Sequence, residues 1–209
     1  MYVPRFNAIG DVAEMRDLVR AVGSAELVTV DGVGYPAATL LPVIWDEDRL
    51  VFHLARANPH WRAIQPGAPA LAVVTGAQAY VSPAWYPSKS EHGRVVPTWN
   101  YSAVHLTGRV TMHDDPEWLR DAVTRLTELH EQSREDRWSV ADAPATYVEK
   151  QLRAIVGVDF AIERVEGKAK LSQNRSDDDF AAVVAGLRRE GGGREHEVAA
   201  AMERLRPRP

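Results

Sequence analysis

The chain of 209 residues contains no cysteine. That absence excludes disulfides, cysteine-ligated zinc, iron–sulfur clusters and thiolate-ligated haem, and leaves histidine and oxygen ligands for any metal. Redox chemistry would have to come from a bound cofactor. No run of about twenty apolar residues occurs, so a membrane-spanning helix is not expected. The segment MYVPRFNAIGD lacks the basic and apolar regions of a secretory signal, and a cytoplasmic location is expected. Also missing are a GxGxxG after a strand, a P-loop, a GxSxG elbow and an HExxH pair. Nicotinamide binding on a Rossmann fold, NTP hydrolysis, esterase chemistry and zincin chemistry therefore lack their residues. The formal net charge of −4 gives no global pull toward nucleic-acid phosphates. The C-terminal arginines Arg188, Arg189, Arg194, Arg204, Arg206 and Arg208 interleave with Glu190, Glu195, Glu197 and Glu203, which is the pattern of a solvated helix face.

What the chain does have is a concentration of aromatic and histidine residues in three short stretches. These are HLARANPHWR (53–62), YVSPAWYPSK (80–89) and VPTWNYSAVH (96–105), with Trp45 just upstream. Planar rings, imidazoles and a few cations are what a protein needs to hold a flat, anionic prosthetic group.

The hydrophobic pattern predicts an α+β chain. Val12, Met15, Leu18, Val19 and Val22 recur at helical spacing after Asp11. Strand patterns follow at 26–30, 35–40 and 50–54, joined by short turns and read as an antiparallel meander. Asn58-Pro59 opens a short helix to about residue 64. Strands are expected at 70–75 and 78–82 around a Gly76 turn, then a loop from Pro83 to Pro97 and a long strand at 99–110. Helices are expected from Asp115-Pro116 and over 142–155, a strand over 156–165, and a polar, basic loop over 167–175. Ser176 with Asp179 caps a further helix, and Gly191 to Gly193 separates a last one, frayed or packed on a partner. Six or more short-linked strands suggest a closed or partly closed barrel.

Candidate site residues follow from chemistry. His53 at a strand end can ligate haem iron or donate to a flavin oxygen, and His60 lies in the first turn of the next helix. The two are not spaced as a zinc motif. Arg56 and Lys89 suit a phosphate or propionate, and Trp61 adds an aromatic face. Trp99, Tyr101 and His105 alternate onto one side of their strand, and Asn100 can read a ring edge. Lys168, Lys170, Gln173, Asn174 and Arg175 offer an anion site ahead of a helix, or solvated charges on a loop.

The stretches MYVPRF, PAATLLPV, RANPHWR, AYVSPAWY, VPTWNYSAVHLTG and KLSQNRS, in order over about 175 residues, resemble the PaiB family of FMN-binding negative transcriptional regulators. The resemblance implies the FMN-binding split β-barrel of pyridoxamine-phosphate oxidase-like flavoproteins, with flanking helices. It implies a homodimer with the cofactor at the subunit interface. FMN there would take backbone contacts near Thr39 and Leu40, cationic contacts from Arg56 or Lys89, and aromatic packing from Trp99. Haem-dependent piperazate synthases, which close an N–N bond, resemble the same stretches. They carry a histidine before RANPHW, matching His53, which would then be the axial ligand of haem b. This chain departs from them at LVFHLAR and in its longer 87–97 loop, so haem binding rather than piperazate synthesis carries over. The expected division is a split-barrel domain over 1–175 and a helical extension over 176–209. The functions kept open are a regulator holding FMN and a haem-binding enzyme. Direct operator binding is not expected, because no helix-turn-helix is evident.

Overall fold

A computed structural model describes residues 1–206, so Arg208 lies outside the described residues. Its strands are β1 (Ala8–Ile9), β2 (Ser24–Val30), β3 (Pro36–Pro42), β4 (Ile44–Asp46), β5 (Arg49–Ala55), β6 (Ala68–Val81), β7 (Thr98–His113) and β8 (Ile155–Lys170). The helices are α1 (Val12–Val22), α2 (His60–Ala63), α3 (Ser88–His92), α4 (Pro116–Glu131), α5 (Ala145–Leu152), α6 (Asp177–Glu190) and α7 (Gly193–Leu205). The strands join in the order β3-β2-β6-β7-β8-β5-β4, with β1 paired to β8. The β2–β3, β2–β6, β4–β5, β5–β8 and β1–β8 ladders are antiparallel.

Two compact units emerge, and β6, β7 and β8 supply residues to both. The first comprises Met1–Val12, Thr75–Val104 and the chain from Glu166 onward; the second comprises Ala13–Val74 and His105–Val165. In the second unit, alternation along β5 puts Leu50, Phe52 and Leu54 on the buried face, where Phe52 meets Phe160 edge-on at 6.5 Å. His53 takes the opposite face, beside an apolar cluster of Leu119, Val148 and Leu152 from α4 and α5. In the first unit, α6 and α7 bury Val183, Leu187, Val198 and Met202 against Val81 and Leu171. Gly186 on α6 admits the Trp85 ring, since a Cβ there would fall 2.3 Å from it.

Several expectations need correction. The predicted meander holds only for β2 and β3: β5 pairs with β4 and β8, not with β3. Residues 68–81 form one strand, because Gly76 is not among the left-handed glycines and no turn interrupts the ladder. The stretch 167–170 continues β8, paired to β1 through Ala8↔Lys168 and Ile9↔Gly167. Residues 88–92 of the expected loop form α3. The helix expected from Asp142 begins at Ala145, since Asp142 closes a capping box on Ser139 instead. The last helix is neither frayed nor left for a partner; Val198, Ala199 and Met202 are fully buried against its own unit.

Candidate functional site

The RANPHWR segment is held by its own polar side chains. Asn58 Oδ1 accepts from the His60 backbone N–H at 3.0 Å, which starts the short helix α2. His60 is buried, and both ring nitrogens are bonded: Nε2 to Thr29 Oγ1 at 2.9 Å and Nδ1 to Thr39 Oγ1 at 2.8 Å. Asn58 Nδ2 also donates to Thr39 Oγ1 at 3.3 Å. Thr39, expected only to lend backbone contacts, is thus part of a side-chain tie between β2, β3 and α2. Leu40, its neighbour, projects outward on β3 and is 65% exposed.

Arg56 is built into the wall of the second unit. Its Nε donates to Arg153 O at 2.9 Å, its guanidinium to Ile155 O at 2.9 Å and to Asp114, and it lies over the Trp61 ring at 5.8 Å. Trp61 Nε1 donates to Arg56 O at 2.9 Å. Next to this wall lies a cavity of about 630 Å³ lined by Arg56, Leu119, Arg120, Glu149, Leu152 and Arg153 among others.

Leu152 also lines a second cavity of about 270 Å³, which His53 faces together with Val123, Trp138, Tyr147, Val148 and Ile155. His53 Nδ1 is buried and has no hydrogen-bond partner among the described residues. Burial lowers the pKa of His53 below its ordinary value, because the apolar surroundings disfavour the imidazolium. The ring is therefore neutral near pH 7, the state in which an imidazole nitrogen can bind a metal or accept a proton. Burial lowers the pKa of His60 too, but its nitrogens are already occupied. The cavity neighbours of His53 are not legible in the sequence. The stripe Leu119, Ala122, Val123 and Leu126 marked α4 as amphipathic, but nothing in it says that the strand face it covers carries His53.

In the first unit, Lys170 Nζ donates to Trp99 O at 2.9 Å and to Thr98 Oγ1, and burial lowers its pKa. Asn100 is fully buried and exchanges hydrogen bonds of 3.0 and 3.2 Å with Ser172 Oγ. Gln173 braces the turn, accepting from Leu171 N at 2.7 Å and donating to Ala169 O. Lys170 and Asn100 line one cavity, whereas Gln173 supports it from behind. Trp99 is 45% exposed and donates to Gln78 Oε1 at 3.1 Å. His105 sits half-buried on β7 and Lys89 in α3, and neither lines any of these three cavities. Among the described residues no group of three or more His, Asp or Glu is placed to hold a metal ion.

Residues 1–164 match the family described as "Putative FMN-binding domain". The chain belongs to that family. It is 30% identical over 207 residues to the Bacillus subtilis (strain 168) protein named "Protease synthase and sporulation protein PAI 2", covering 97% of each, so the expected kinship with PaiB holds. Among solved structures, this FMN-binding-domain protein resembles the "FAD and Heme binding protein from Mycobacterium smegmatis". That likeness has a TM-score of 0.61 and 23% identity, over 82% of this chain and 78% of that one. It also resembles the "Flavocytochrome Anf3 from Azotobacter vinelandii", with a TM-score of 0.60 and 17% identity over 86% and 78%. At these identities the likeness establishes the fold, a mixed α and β split barrel with an antiparallel sheet and flanking helices.

Proposed function

We propose that this FMN-binding-domain protein holds its flat prosthetic group in the second unit, at the adjoining cavities that share Leu152, and acts as a cytoplasmic, homodimeric regulator. The observation that carries the reading is the pairing of a cavity of about 630 Å³, which is cofactor-sized, with an aromatic and aliphatic annex holding an imidazole whose Nδ1 has no partner among the described residues. Arg120 and Arg153 line the larger cavity beside Glu117 and Glu149; the two guanidiniums would take an anionic tail, while Leu119 and Leu152 supply apolar packing. Bound FMN supplies reversible electron transfer on a flat ring. The chain's part is to hold that ring and keep water from it. Arg56, tied to two carbonyls and Asp114, shapes the wall rather than reaching for a phosphate.

The homodimer reading is supported by β3. It ends the strand order and turns Ala38 and Leu40 outward, an exposed apolar face on an end strand that a second copy would cover. No helix among the described residues is long and apolar enough to cross a membrane. Regulation then works by the cofactor state altering a partner contact. A gel shift showing nanomolar, sequence-specific DNA binding at physiological salt would overturn that route.

His53 favours a second reading, in which haem b is the group held. A neutral imidazole in an apolar wall has the chemistry of an axial ligand. Its own cavity of about 270 Å³ is too small to enclose a whole macrocycle, so the larger cavity would have to contribute. The spectrum of the purified protein, as isolated and after addition of FMN or haemin, separates the readings. Flavin bands with bound-state shifts support FMN, a Soret band supports haem, and no change with either rejects both.

A further inference from the structure

The first unit contains a cavity of about 270 Å³ lined by the cations Lys168, Lys170 and Arg175 and, among the described residues, by no Asp or Glu. Lys168 is 8% exposed. Its ammonium donates to the Tyr2 carbonyl at 3.0 Å and faces the rings of Tyr2 and Tyr101 at 5.7 and 5.1 Å. Lys170 is held by a hydroxyl and a carbonyl, and Arg175 lies over the Tyr86 ring at 4.6 Å. Carbonyls and π faces orient a cation without cancelling its charge. Positive charge withdrawn from water in this way is stabilised most by an anion brought into the same cavity.

The turn that lines one side of the cavity is held in one shape. Ser172 adopts φ 64°, a left-handed conformation unusual for serine, and its hydroxyl is locked to the buried Asn100 amide. Such conformations cluster where a site must be held ready. At the opening, Tyr2 and Phe6 are 83% and 58% exposed, giving an anionic head group an aromatic surface for its body.

We propose that this cavity binds a small organic anion, a carboxylate or phosphate monoester with a flat or apolar body. A volume of about 270 Å³ falls just under the range of cavities that take drug-sized ligands, so the ligand is smaller than a flavin nucleotide. The site is therefore a substrate or effector site rather than the seat of the prosthetic group, and it does not rest on the identity of that group.

The test is calorimetric titration of the full chain, at its cofactor content as isolated, with phenyl phosphate, benzoate, inorganic phosphate and neutral phenol. Phenyl phosphate or benzoate should bind, inorganic phosphate more weakly, and phenol not at all. The tighter of the two aromatic anions names the head group. Lys170→Gln should weaken binding about tenfold or more, the worth of one charge-assisted hydrogen bond. Arg175→Gln provides a second variant should Lys170→Gln misfold, and Glu163→Gln in the other unit should change nothing. Two outcomes overturn the proposal: no anion binding at millimolar concentration, or binding unaltered by Lys170→Gln and Arg175→Gln in folded protein.

Discussion

Gly157 lies against the flat of the Trp118 ring: a Cβ at position 157 would fall 2.1 Å from Cζ3 and 2.6 Å from Cε3. Gly157 is also the register partner of His53 across β5 and β8, so the strand position beside the candidate ligand is kept bare for an indole. The indole cannot slide away freely, because it stacks on His113 at 4.5 Å with an interplanar angle of 5°. Gly157→Ala should destabilise the fold by about 1–3 kcal/mol, the usual cost of overpacking, read as a lower urea midpoint at unchanged slope.

His53→Ala removes the one imidazole that faces the apolar cavity. On the haem reading, the variant should lose its Soret band after haemin addition and gel filtration while keeping its far-UV spectrum. Undiminished haem retention would remove His53 as the ligand.

His60→Ala should behave differently. It strands the buried hydroxyl of Thr29 and leaves the half-buried Thr39 hydroxyl with Asn58 alone, a loss of about 1–3 kcal/mol. Its effect should appear in chemical denaturation rather than as selective loss of a cofactor from protein of normal stability.

Both histidines also set a pH dependence. Burial holds each below 6.5 in the folded chain, so the unfolded chain takes up protons first as pH falls. Their contribution to stability is complete above pH 6.5 and is lost as pH drops below it toward the folded values. The urea midpoint should therefore be lower at about pH 5 than at about pH 7.5, and His53→Gln should narrow that gap.

Leu40→Glu places a charge on the outward face of β3, where Leu40 is 65% exposed and makes little contribution to the fold of its own chain. If β3 pairs subunits, sedimentation should show a monomer for the variant and a dimer for the parent. A dimer in both would remove β3 as the interface.

Much of the architecture was legible because it rests on local chemistry. Asp115 capping the helix that opens at Pro116, and Ser176 capping α6, are short-range hydrogen bonds that a few consecutive residues specify. Asn58-Pro59 is of the same kind, and the alternation of Asn100, Ser102, Val104 and Leu106 on the buried side of β7 follows from strand period alone. The family was legible because its motifs are long and contiguous.

What the sequence by itself determined, then, was element type, capping and family, together with the absence of any thiol chemistry. Tertiary structure decided which strands pair. Periodicity says which face of a strand is apolar but not which distant strand completes it, and so β5 paired with β8 over a separation that no local pattern encodes. The same limit governed the sites. His53 and His60 look alike in the sequence, seven residues apart in one aromatic stretch. Only packing gave His60 two threonine partners and left His53 Nδ1 with none. Lys168, which reads as a loop cation, became a buried ammonium because β1 pairs with the end of β8. Charge and hydrogen-bonding capacity are properties of a residue, but whether they are satisfied depends on neighbours brought from elsewhere in the chain.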